Sequence, residues 1–229
     1  MSAFDGMRRI GIDESGKGDY FGPLVIAAVL VDPEDQARLC DAGVKDSKRL
    51  SDKKVDELAR LISDTCSVSV VKIGPSKYNE LYAKIGNLNK LLAWGHSRAL
   101  ENVLEKSPDC DLAISDQFGD ERFLRGALMK AGRLIELVQM PRAEQDTAVA
   151  AASIMARRGF VKAMQDLSEA AGLLLPKGAS DPRVLSTACE IYAKGGQGEL
   201  GKYAKLHFKT TAQVVEAAKA GKRGTEDDN

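Results

Sequence analysis

The sequence is short of several things, and each shortage removes a class of protein. Its four cysteines, Cys40, Cys66, Cys110 and Cys189, lie far apart with no CxxC pair. That spacing argues against zinc and points to reduced core thiols, as a cytoplasmic protein would carry. Aromatics make up only 5% of the chain while Ala, Leu and Val abound, a balance that favours helices packed on a sheet. Net charge is absent too: 33 basic residues offset 33 acidic ones, so the chain is not a generally cationic coat for nucleic acid. Any polyanionic partner must meet a local basic patch. Long apolar runs are missing as well. Met1 to Met7 contains none, so no cleavable signal is expected, and the longest, Leu24 to Val31, is too short to span a bilayer. A soluble, cytoplasmic protein is the expectation, with no internal repeat and no low-complexity linker.

What is present is concentrated near the start. The 229 residues, 44% of them hydrophobic, suffice for one large domain or a domain with a helical appendage. Residues 8 to 23 read Arg-Arg-Ile-Gly-Ile-Asp-Glu-Ser-Gly-Lys-Gly-Asp-Tyr-Phe-Gly-Pro. An apolar strand, Ile10 to Ile12, runs into two adjacent carboxylates, Asp13 and Glu14. Paired anions repel unless a cation lies between them, and in an enzyme that cation is commonly a hard divalent metal held by oxygen. The following loop holds Gly16 and Gly18 around Lys17, which offers backbone N–H groups and one point charge to a phosphate.

Further along, Pro23 to Val31 predicts a second strand, apolar on both faces and paired antiparallel to the first, followed by one or two helical turns from Pro33 to Leu39. Ser51 caps a predicted helix over 52–64, and a strand is expected over 67–73. Helices over 76–83 and 88–106, a strand over 110–117, a helix over 120–131 and a strand over 135–140 complete a βαβ-like unit. From Asp146 the spacing Ala148, Ala151, Ala152, Met155 predicts a helix whose small residues allow close approach to the sheet. A helix over 182–194, a turn region over 195–201 and a last helix over 211–220 form a C-terminal helical cap, and 221–229 is expected to be a disordered tail.

Three places now carry acids at ends of elements: Asp13 with Glu14, Asp116 after a later strand, and Asp146 at a helix start. If the strands are neighbours, these carboxylates converge and suit two magnesium ions and in-line phosphodiester hydrolysis. Gly11 to Lys17 also spells GxxxxGK, the phosphate loop of nucleotide hydrolases. That reading fails, because Gly18 stands where a metal-binding hydroxyl belongs, two acids occupy a loop that must wrap phosphates, and Gly11 lies inside the strand.

Several blocks together resemble one family, the type 2 ribonucleases H, and within it ribonuclease HIII. They are Asp-Glu-Ser-Gly-Lys-Gly-Asp-Tyr-Phe-Gly-Pro (13 to 23), Asp-Ser-Lys-Arg-Leu (46 to 50), the stretch 87 to 102 around Trp94, Asp-Gln-Phe (116 to 118), Ala-Val-Ala-Ala-Ala-Ser-Ile (148 to 154), Leu-Pro-Lys-Gly-Ala (175 to 179) and Lys-Leu-His-Phe-Lys (205 to 209). Gly-Lys-Gly in the opening loop, where HII has Gly-Arg-Gly, favours HIII.

The resemblance implies an α/β fold: a ribonuclease H-like mixed β-sheet flanked by α-helices, with 1–220 as the catalytic domain. It implies endonucleolytic hydrolysis of the RNA strand of an RNA/DNA hybrid by a monomer, leaving 5′-phosphate and 3′-hydroxyl ends. The metal site would hold two Mg²⁺ or Mn²⁺ ions on Asp13, Glu14, Asp116 and Asp146, with Glu144 the alternative to Asp146. Ser15, Gly16, Lys17 and Gly18 would read the ribose 2′-hydroxyl and a phosphate, and Ser47 and Lys48 would hold flanking phosphates. Arg142, Lys177, Lys205 and Lys209 are weaker phosphate candidates. His96 is expected to make a buried hydrogen bond, Trp94 to pack in the core, Tyr20 to offer a stacking surface, and His207 stays unassigned. Ribonuclease HIII proteins typically carry an extra N-terminal domain, whereas here the catalytic strand begins within ten residues of Met1, so weaker, salt-dependent hybrid binding is expected. Competing readings are an HII-like enzyme cutting at single ribonucleotides in DNA and a non-catalytic hybrid-binding module.

Overall fold

The computed structural model describes residues 3, 4, 6–44 and 50–226, with the side chains of 221–226 excepted. The elements in chain order are β1 (Arg9–Ser15), β2 (Leu24–Val31), α1 (Pro33–Asp41), α2 (Asp52–Thr65), β3 (Ser67–Ile73), α3 (Pro75–Ile85), α4 (Leu88–Leu104), β4 (Leu112–Asp116), α5 (Glu121–Ala127), β5 (Glu136–Met140), α6 (Thr147–Ala171), α7 (Arg183–Leu200) and α8 (Lys209–Glu226). Two compact units emerge. The first comprises Met1–Ser15, Val25–Lys72 and Ile85–Val161, and the second Gly16–Leu24, Ile73–Lys84 and Lys162–Asn229.

A five-stranded mixed sheet, in the order β3-β2-β1-β4-β5, forms the centre of the first unit. The short connection after β1 returns the chain as β2, antiparallel as the sequence predicts, while β4 and β5 run parallel to β1 and to each other. Every residue of β2 is buried, as its unbroken apolar run requires of a strand covered on both faces. Pairing with β2 extends β1 through Ser15, so Asp13 and Glu14 lie inside the strand, opposite Ala27 and Ile26, and not beyond its end.

Helix α6 lies so close to β1 that a Cβ on Gly11 would sit 2.0 Å from the carbonyl carbon of Ala148. Here the backbone of a strand meets the backbone of a helix, which only glycine permits; this is why a glycine interrupts an otherwise apolar strand. The run Ala148 to Ala152 supplies the helix side of the contact and is fully buried. Ser51 caps α2 as expected, accepting from Lys54 N at 3.2 Å. The predicted helix over 120–131 stops at Ala127 and is followed by a 3-10 turn over 132–134, at whose start the backbone N–H groups of Ala131 and Gly132 donate to the buried Glu101 carboxylate.

In the second unit α7 continues through the expected turn region, broken at Gly195 and Gly196, and α8 reaches Glu226, into the stretch expected as a tail. The core-thiol expectation holds for Cys110 alone, since Cys40 is exposed and the other two are half-buried. Among the described residues no helix is long and apolar enough to cross a membrane.

Candidate active site

The parallel register Gly11↔Ile114, Ile12↔Ser115 makes Asp13 and Asp116 next neighbours across two adjacent strands. Alternate residues of a strand face opposite sides of its sheet. Gly11 meets α6, so Asp13 faces the same helix, and there Ser153 hydrogen-bonds its carboxyl group. Burial first, and then the charge of Glu14, push Asp13 up to about 6, against the lowering effect of Ser153. The backbone N–H of Glu14 also donates to Asp13 Oδ1 at 2.8 Å. Asp116, half-buried, accepts from the backbone N–H of Ala143 at 3.1 Å. That bond brings the 3-10 turn Ala143–Gln145, and with it the half-buried Glu144, to the end of β4.

Glu14 points to the other face. Its Oε2 lies 3.0 Å from His96 Nε2, and His96 Nδ1 lies 3.1 Å from Ser115 Oγ on β4. His96 is fully buried in α4, the buried hydrogen bond expected of it. Phe118, from the Asp-Gln-Phe block, leans on the imidazole with ring centroids 4.6 Å apart.

Asp146 does not join this group. Both its oxygens are committed elsewhere: Oδ2 accepts from Arg9 Nε at 2.8 Å, and Oδ1 accepts from Ala148 N at 2.9 Å at the start of α6. Both side chains of the Arg9–Asp146 pair are fully buried, and Arg9 Nη1 also donates to Met7 O and Gln36 Oε1. The expectation that Asp146 converges with Asp13 is therefore corrected.

Among the described residues, no three His, Cys, Asp or Glu side chains already stand close enough together to enclose a metal ion. The donors nevertheless fit a hard cation. They are all carboxylate oxygens, and Asp13 is held high by burial beside another acid, a repulsion that a divalent ion relieves.

The loop 16–22 after β1 belongs to the second unit, and two blocks singled out from sequence hold it there. Gly16 adopts φ 87°, which lets the chain turn directly after the acids. Gly178 N, from the Leu-Pro-Lys-Gly block, donates to Asp19 Oδ1 at 2.6 Å. Lys205 N donates to Tyr20 O at 2.9 Å, and Lys205 Nζ donates to Asp19 O at 2.7 Å. Tyr20 is fully buried and its hydroxyl pairs with Thr211 Oγ1 at 3.1 Å, so it is not an exposed stacking surface. Lys205 is fully buried too and cannot serve as a phosphate contact; burial pulls its ammonium down to about 7. Trp94, expected in the core, is 37% exposed. His207 stacks on Tyr82 at 4.3 Å between centroids. Lys17 is half-buried, Gly18 exposed, and Arg142 occupies an exposed left-handed turn at φ 57°. Ser47 and Lys48 lie outside the described residues.

Sequence reasoning missed Arg9, Ser115 and Ser153. Ser153 had a signal, being a polar residue among the small buried ones of α6, while Arg9 reads as one of two adjacent surface charges.

The sequence model of the family described as Ribonuclease HII matches residues 10–211. A Ribonuclease HIII of Protochlamydia amoebophila (strain UWE25) is 45% identical over 93% of this chain and 69% of its own length. One of Chlamydia pneumoniae is 47% identical over 90% of this chain and 70% of its own. The solved structure of Bst-RNase HIII in complex with Mn²⁺ superposes with a TM-score of 0.86 at 36% identity, covering 95% of this chain and 72% of that one.

Proposed function

The chain belongs to the type 2 ribonuclease H family, among its ribonuclease HIII proteins, and from that premise we propose that it hydrolyses the RNA strand of RNA/DNA hybrids with divalent metal ions bound by Asp13, Glu14, Asp116 and Glu144. One observation carries this reading: the β1–β4 register that sets Asp13 beside Asp116. Glu144 replaces Asp146 in the set because the Ala143–Asp116 hydrogen bond brings its turn to β4, whereas Asp146 is spent on Arg9.

The carboxylates of Asp13, Glu14, Asp116 and Glu144 would hold two Mg²⁺ or Mn²⁺ ions, which supply Lewis-acid stabilisation for in-line displacement at phosphorus. Ser153 and the backbone N–H groups of Glu14 and Ala143 fix the directions of Asp13 and Asp116. Water adds at phosphorus and the P–O3′ bond breaks, leaving a 3′-hydroxyl and a 5′-phosphate. Ser15 to Gly18, immediately after the acids in the chain, would meet the ribose 2′-hydroxyl through backbone groups, with Lys17 contributing charge to a phosphate. Ser47 and Lys48 remain candidates for the neighbouring phosphates. The protein is read as a cytoplasmic monomer.

The test is cleavage of an end-labelled RNA/DNA hybrid with Mg²⁺ or Mn²⁺. Wild type is expected to give products with 5′-phosphates, and Asp13→Asn and Asp116→Asn to give none. Undiminished cleavage by Asp13→Asn would defeat the site assignment. Running a DNA duplex with one embedded ribonucleotide alongside separates HIII-like from HII-like preference.

A further inference from the structure

A carboxylate oxygen accepts, so in the 3.0 Å contact between Glu14 Oε2 and His96 the hydrogen is assigned to Nε2. The other ring nitrogen, Nδ1, lies 3.1 Å from the Ser115 hydroxyl on β4. Ser115 Oγ also donates to the carbonyl of Asp116 at 3.1 Å. The chain of contacts runs from β1, through α4, to β4. It links Glu14 to the residue preceding Asp116. Phe118 covers the ring, His96 has no exposed surface, and little of the Glu14 side chain reaches solvent.

We propose that His96 is a positioning residue for metal-dependent cleavage: backed by Ser115, it holds the Glu14 carboxylate in one orientation at the end of β1 and ties that orientation to β4. The inference rests on the function proposed above. Glu14 lies on the face of the sheet that meets α4, where His96 contacts its carboxylate. A glutamate carboxylate that accepts from a buried, packed donor is held to fewer rotamers than one without that donor. Partners behind a ligand typically change metal affinity or activity by about 10–100-fold when removed.

The experiment uses the full chain and Mn²⁺ as the probe. Mn²⁺ binding is followed by loss of the free-ion electron paramagnetic resonance signal, and the Mn²⁺ concentration for half-maximal hybrid cleavage is measured in parallel. His96→Phe, which keeps a ring but no nitrogen, is expected to weaken Mn²⁺ binding and raise the half-activation concentration together, by roughly 10–100-fold. His96→Gln, whose amide can donate from near the Nε2 position, is expected to recover most of both. A purely structural histidine would lower thermal stability and leave Mn²⁺ affinity alone, so wild-type affinity in folded His96→Phe overturns the proposal. Should His96→Phe fail to fold, Ser115→Ala decides: about tenfold weaker binding is expected, and an unchanged value overturns it. Wild type that neither binds Mn²⁺ nor cuts hybrid would overturn the function itself, an outcome distinct from wild type and His96→Phe binding alike.

Discussion

Asp146→Asn separates a structural acid from a catalytic one. In the native protein Arg9 Nε meets Asp146 Oδ2 at 2.8 Å, with both side chains fully buried. Asparagine keeps an oxygen for the Ala148 N–H, so the start of α6 stays capped and the change isolates the ion pair. Removing one member of a buried ion pair costs about 3–5 kcal/mol. For a chain of this size each kcal/mol lowers Tm by roughly 2–4 °C, so a fall of about 6–20 °C is expected. Urea unfolding should show a lower midpoint at unchanged slope. At a temperature where the variant is still folded, its cleavage and Mn²⁺ requirement should match wild type. Glu144→Gln should do the reverse, losing cleavage at wild-type Tm. Replacing both partners, Arg9→Met with Asp146→Leu, should restore most of the stability, short of about 1 kcal/mol for the lost cap. An Asp146→Asn protein of undiminished Tm that no longer cuts, beside an active Glu144→Gln, would refute the reasoning and return Asp146 to the metal.

Gly11→Ala should cost about 1–3 kcal/mol or more and reduce cleavage, because its Cβ must displace the backbone of Ala148; a variant melting at the wild-type temperature would contradict the close approach. Lys205 predicts a pH dependence of stability. Its folded value is depressed to about 7 from an ordinary 10.5, so above pH 7 the unfolded chain binds the extra proton and stability rises with pH. Between pH 7 and 8.5, below the range where the raised Cys66 thiol works in the opposite direction, wild type should gain about 2 kcal/mol relative to Lys205→Met. Parallel curves for the two proteins would show that Lys205 keeps its proton. Thr211→Val should leave the Tyr20 hydroxyl buried without its partner, at about 1–3 kcal/mol, measurable by urea unfolding; no loss would mean that the pair at 3.1 Å contributes nothing.

How far these contacts were legible from sequence depends on the distance along the chain between the groups involved. Asp13, Glu14 and the loop after them are contiguous, and their chemistry shows in the letters. The strand over 67–73 was readable to the residue because polar and turn-forming neighbours bound it. Arg9 and Asp146 are 137 residues apart, and nothing local marks either as buried. A sequence shows that an acid stands at a helix start, but not that a guanidinium comes from another element to meet it. The same blindness made Lys205 look like a phosphate ligand and Trp94 a core residue, since charge and apolarity predict exposure only on average. Gly11 was the converse case. Its place inside a strand told against a phosphate loop, and the reason, a helix backbone lying against it, required the fold.

Asp13 becomes the neighbour of Asp116 only because two strands about a hundred residues apart pair in parallel. Such pairing closes a long loop before any contact repays the entropy lost, so it forms late. At a synthesis rate of about 5–20 residues per second, roughly 5–20 s separate the emergence of the first acids from that of the third. Glu144 and the start of α6, which closes over Gly11, follow later still. A growing chain therefore carries its glycine loop and the carboxylates of Asp13 and Glu14 well before the other acids proposed to join them have been made.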